Sequence, residues 1–162
     1  MKTLDQQRKA EDRVCEDWLL FAEDRAQTLA ERREEVLHSS SAPNNGQPGA
    51  PYYVSRPTEN TGLACATIRV EEAQAWVDLM KIVAEGLPTH LQVFLDLRRK
   101  TRFQRGNQGW VAYVMAHYPI EMERATGKSA SVHYVSHRST FTVWWRDIVN
   151  ITARLAIRRG ML

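Results

Sequence analysis

The sequence predicts an all-α protein, a long antiparallel helical hairpin of coiled-coil type followed by a small helix-turn-helix domain. Three observations predict it. Residues 4–37 contain no Gly or Pro and are rich in Glu, Arg, Leu, Ala and Gln, all good helix formers. Leu63, Ala66, Val70, Ala73, Val77, Met80, Ala84 and Leu87 alternate at spacings of three and four, which is a heptad seam. Residues 88–162 divide into short amphipathic stretches punctuated by Pro88, Gly106, Gly109, Gly127 and Gly160.

The first stretch reads as one long helix. Its periodic face runs Cys15, Trp18, Ala22, Arg25, Leu29, Arg32 and Val36, so two arginines interrupt an otherwise apolar stripe. Such a helix is about 50 Å long at the standard rise and is expected to protrude from a domain of this size. Residues 38–57 hold four of the six prolines among Ser, Asn and Gly, and read as a loop in which Tyr52, Tyr53 and Val54 supply a local anchor. Pro57 opens the next helix and Gly86 with Pro88 closes it. The seam on this helix fits a hairpin partner, or a second chain paired through residues 63–87. Trp76, Leu79 and Val83 widen the stripe beyond one partner.

Past Pro88, Leu91, Phe94, Leu95 and Leu97 or Arg98 outline a short helix ending in a basic run. A further helix starts near Trp110 and is expected to bend or break at Pro119, with Gly127 as its C-cap. Ser136 or Ser139 is expected to cap the last helix, which runs to about Arg158. Phe141, Trp144, Trp145, Ile148, Ile151, Thr152 and Leu155 fall on one side of it, the predicted core side. Trp110, Trp144 and Trp145 are expected to build the small C-terminal core, and Trp18 and Trp76 to be core or seam residues.

Composition narrows the function. The chain of 162 residues is 43% apolar and 25% charged, near the averages for globular domains. Its first residues are charged, and its apolar runs never approach the roughly 20 residues a bilayer needs, so a cytoplasmic protein is expected. Two cysteines, Cys15 and Cys65, are too few for a disulfide framework and read as reduced core residues. The net charge of +3 hides a partition: residues 1–87 carry 10 Lys or Arg against 15 Asp or Glu, whereas residues 88–162 carry 12 against 4. An acidic hairpin and a basic domain are expected to meet different partners, the basic one duplex DNA.

The outer side of the last helix carries Ser139, Thr142, Val143, Arg146 and Asn150. These are the groups that read base edges: Arg bidentate to guanine, Asn bidentate to adenine, a methyl against thymine. They are the candidate base contacts, with Arg146 and Asn150 foremost. Candidate phosphate contacts are the run Arg98, Arg99, Lys100, Arg102 and Arg105, together with Lys128, His137 and Arg138 at the turn.

Two segments resemble a known family. VLHSSSAPNNGQPGAPYYVSRPTENTGLACATI, at residues 36–68, is similar to the linker of RinA-type phage late-transcription regulators, in which GQP and PT join two long helices. SHRSTFTVWWRDIVNITARLAIRRGML, at residues 136–162, resembles their sigma-like C-terminal helix-turn-helix. The resemblance implies an activator of phage late genes that acts with host RNA polymerase. It places Ser136, Arg138, Ser139, Thr140 and Phe141 at the turn and helix start, with Arg146 toward the groove. One departure is SASVHYV, which is longer than the turn of three or four residues usual for the motif. Either the turn is longer here, or residues 120–127 are not the supporting helix.

Catalytic readings are weak, the one left open being a nuclease or recombinase built from the scattered acids Asp96, Glu121, Glu123 and Asp147. His133 and His137 at i, i+4 have no third metal ligand nearby, and Glu121 and Glu123 lie on different sides of a helix. No phosphate loop, dinucleotide-binding fingerprint, nucleophile elbow or zinc-hydrolase motif is present, so no enzyme and no cofactor are expected. Two non-regulatory alternatives remain: a DNA-packaging subunit like a small terminase, and a helical adaptor that binds only protein.

Overall fold

A computed structural model describes residues 3–40, 57–104 and 107–162. Every regular element in them is helical: α1 (Leu4–Leu20), α2 (Ala22–Ser40), α3 (Pro57–Gly86), α4 (Thr89–Lys100), α5 (Asn107–Thr126), a 3-10 turn (Ala130–His133) and α6 (Arg138–Arg158). The expected all-α class is observed. Tyr52, Tyr53, Val54, Arg105 and Gly106 lie outside the described residues, as do the side chains of Val36, Leu63, Cys65 and Ala66. Among the described residues, no helix is long and apolar enough to cross a membrane.

The chain forms two compact units, residues 1–22 with 78–162, and residues 23–77. The second holds α2 from Glu23 and α3 through Val77. In the first, α1 and the last turns of α3 belong with the basic helices α4 to α6.

The expected single helix over residues 4–37 is two helices, because the chain bends at Phe21. At its start, Thr3 and Gln6 form a reciprocal capping box. At its end, Phe21 leaves helical geometry with φ −111° and ψ 20°. A helix end leaves carbonyls without an amide donor. Here the Leu19 carbonyl accepts a 2.9 Å hydrogen bond from Arg99 Nε of α4, while the Phe21 ring meets Phe103 edge-on at 5.7 Å. Tertiary partners on both sides of the junction hold a break that helix propensity alone would not make.

The other boundaries follow from local chemistry. Gly127 takes φ +71° and returns its N–H to the Glu123 carbonyl at 2.8 Å, the left-handed cap expected after α5. Pro119 does not interrupt the helix: α5 is continuous through it. The N-cap of α6 is His137, in extended geometry and without a side-chain capping bond, instead of Ser136 or Ser139.

The core of the larger unit is aromatic. Phe94 of α4 stacks on Phe141 of α6 at 5.9 Å, and Trp110, Tyr118 and Trp144 close around the pair. Phe94, Phe141, Ile148 and Val114 are fully buried, so each contributes about 1.5–3 kcal/mol of transfer free energy. The predicted core side of α6 needs one correction, since Ile151 is 42% exposed. Val149, Ala153 and Ala156 are buried instead, because α1 packs along α6 and turns the buried stripe toward them. Cys15 and Leu19 are the fully buried residues of α1. Met80 and Val83 of α3, and Leu87 just beyond its end, are also buried.

Candidate nucleic-acid interface

The α6 side chains proposed to read bases emerge from the first half of the helix. Ser139, Thr142, Val143 and Arg146 are exposed, and they share one face because offsets of three and four residues return to the same side. The Thr142 hydroxyl donates to the Ser139 carbonyl at 2.7 Å, so it is engaged by its own helix. The inner side of the same turns is fixed by Phe141 and Trp145. Any contact made by the outer face therefore rests on a rigid helix.

The second half of α6 borders a groove. Asn150, Ala153, Arg154 and Ile157 form one wall of a groove of about 410 Å³, and Leu4, Asp5, Gln7, Arg8, Glu11 and Asp12 of α1 form the other. Asp5, Glu11 and Asp12 therefore share this groove with Asn150, together with the guanidiniums of Arg8 and Arg154. Three carboxylates against two guanidiniums leave this groove net acidic, unlike the open face that ends near Arg146.

The basic run on α4 divides by role. Arg98, expected to touch phosphate, is a core residue only 8% exposed. Its guanidinium lies 4.7 Å from the Trp110 ring centre and 5.0 Å from that of Trp145, between two indoles. Nη1 donates to Thr101 Oγ1 at 3.4 Å, and Nε has no hydrogen-bond partner. Burial pulls the guanidinium pKa down to about 10, against the opposing charge of Glu16. Glu16 itself accepts a hydrogen bond from Trp145 Nε1 at 3.2 Å, joining α1 to α6.

Arg99 is the clamp on the Leu19 carbonyl and lies 3.9 Å from Asp96, so it too is committed within the fold. Arg102 is half-buried; it donates to the Arg99 carbonyl and lies over the Phe103 ring at 4.8 Å. Lys100 is exposed, 4.0 Å from Glu121. Of the described members of the run, Arg98 is buried, Arg99 and Arg102 are half-buried and Lys100 is exposed. The signal for Arg98 was present in the sequence: it follows Phe94 by four residues, which puts it on the buried side of α4.

Between Gly127 and α6 the chain is ordered by its own polar groups. The Thr126 hydroxyl donates to the Met122 carbonyl at 2.7 Å, so its lone pairs accept from His133 Nε2–H at 3.0 Å and from the Lys128 amide at 3.4 Å. The Ala130 amide donates to Glu123 Oε2 at 3.3 Å. His133 is thereby a fastening of the turn to α5. Lys128, His137 and Arg138 are exposed around it.

Among the described residues no group of three or more His, Cys, Asp and Glu side chains could hold a metal ion. No protein-family model, curated protein or solved structure matches the chain.

Proposed function

We propose that this chain is a sequence-specific DNA-binding transcriptional regulator that reads a duplex with the first half of α6. The observation that carries the proposal is the open face of Ser139, Thr142, Val143 and Arg146, in a half of the chain with 12 basic residues against 4 acidic ones. Recognition helices read bases mainly with their N-terminal residues, which is where this face is open. Lys128, His137 and Arg138 are positioned by sequence beside it to meet phosphates. The resemblance of residues 36–68 and 136–162 to RinA-type regulators points to the activation of phage late genes with host RNA polymerase, in a bacterial cytoplasm. Val77, Met80 and Leu87 of the heptad seam are buried within the chain, so homodimerisation, which would double a half-site into a longer target, would use the part of the seam before Val77.

The test is selection of a binding site from random duplex DNA by the full chain, followed by anisotropy over a salt series. A preferred site with a slope near −0.9 per neutralised phosphate is expected. Arg146→Ala should lose about 1–3 kcal/mol at that site and relax the preference at one base pair. Salt-sensitive binding without sequence preference, by a ring-sized assembly, would favour a packaging subunit instead.

A further inference from the structure

Two large apolar side chains stand in solvent on the segment that leads into α6. Val132 is 69% exposed and Tyr134 is 65% exposed, two residues apart. Neither is on a loose tether. The segment is tied to α5 by His133 against Thr126 and by the Ala130 amide against Glu123, and Tyr134 continues it in extended geometry, with φ −66° and ψ 127°. The half-buried His133 between them is the fastening, and its two neighbours are turned outward.

The sequence around the segment is basic. From residue 125 to residue 145 the sequence contains no Asp or Glu, while Lys128, His133, His137 and Arg138 fall within it. An exposed aromatic with a hydroxyl donor, between Lys128 and Arg138 in the sequence and with the Glu123 carboxylate engaged by the Ala130 amide, matches a nucleic-acid backbone and groove edge. The span is suitable: four residues separate Tyr134 from Arg138, at most about 14 Å of extended chain, comparable with a major groove about 12 Å wide. A duplex that receives the first turn of α6 would have a flanking strand within reach of this segment.

Resting on the DNA-binding reading above, we propose that the segment from Ser129 to Ser136 is a second duplex-contact element. Tyr134 donates its hydroxyl to a phosphate and Val132 lies against the sugar edge at one flank of the site. The length that separates this turn from a short helix-turn-helix connection is then what supplies the added contact surface.

The probe is the duplex selected by the wild-type full chain. Tyr134→Phe and the double variant Val132→Ser with Tyr134→Ser change only exposed positions, and circular dichroism checks that the helices remain. The expected result is binding weakened about tenfold in the double variant, the size of one hydrogen bond to a charged group, with Tyr134→Phe accounting for most of it. The backbone footprint should shorten at one end while base preference stays that of wild type. Unchanged affinity and footprint in the double variant, with Arg146→Ala still impaired, would overturn the second contact and leave the α6 reading intact; loss of polymerase capture in that variant would then assign the patch to a protein. Absence of any duplex binding by the wild-type chain would remove both readings together.

Discussion

The Arg98 guanidinium lies 4.7 Å from the centre of the Trp110 ring, inside a core to which α1, α4, α5 and α6 all contribute. A planar cation can lie flat against an indole on each side and still hold its charge, which an ammonium on a thin stem cannot do equally well. The geometry explains how a member of a basic run becomes interior. On the DNA-binding proposal, Arg98 then serves stability and not the duplex.

Arg98→Met fills much of the same space without a charge and should cost less than about 1.5 kcal/mol. Arg98→Ala leaves a void between Trp110 and Trp145 and should cost about 2–4 kcal/mol. Urea denaturation measures both. The salt slope of DNA binding should be the same for Arg98→Met and wild type, whereas Lys128→Ala should lower it by about one phosphate contact. A reduced slope in Arg98→Met would return the residue to the interface.

The acids of α1 predict a gain of affinity. Replacing Asp5, Glu11 and Asp12 with Asn, Gln and Asn removes three negative charges beside Asn150 without changing size. The expected result is tighter duplex binding at low salt, converging on wild type as salt screens the difference. The same triple variant should make Asn150→Ala more damaging than it is in the native background. Affinity that does not respond to these charges would place the duplex away from this end of α6.

Cys15 gives a pH prediction. Burial, followed by the nearby Asp12 and Glu11 charges, raises its thiol pKa from 9.0 to about 11. Above pH 9 the unfolded chain releases this proton while the folded chain retains it, so the contribution to stability is full below pH 9 and is lost as pH rises through about 11. A Cys15→Ala variant should lack this part of the alkaline decline. Thiol reagents should modify Cys15 at neutral pH only at the rate at which the fold opens.

Two glycines should respond in opposite directions. Gly127 has φ +71° with open space around a would-be Cβ, so Gly127→Ala pays only for the left-handed backbone, about 1–2 kcal/mol. Gly86 has no positive φ and equally open surroundings, so Gly86→Ala should stabilise by about 0.4–1 kcal/mol. Thermal melts distinguish the two signs.

Much of this molecule is determined locally and is legible without a structure. Helix-forming composition places α3, α4 and α6 close to their observed limits, Gly127 ends α5 where a left-handed residue is needed, and the three-and-four spacing brings Ser139, Thr142, Val143 and Arg146 to one exposed face. These features depend on interactions within one or two turns, so neighbouring residues suffice to specify them. Tertiary structure decided the rest. It broke the first helix at Phe21, where Arg99 and Phe103 supply partners, and it drew Arg98 between two indoles that lie 12 and 47 positions further along the chain. It also laid α1 against the second half of α6, exposing Ile151 and placing carboxylates beside Asn150. A sequence pattern states which side of a helix is apolar or charged; which distant helix covers that side, and which cations it takes out of solvent, depends on packing that no local spacing encodes.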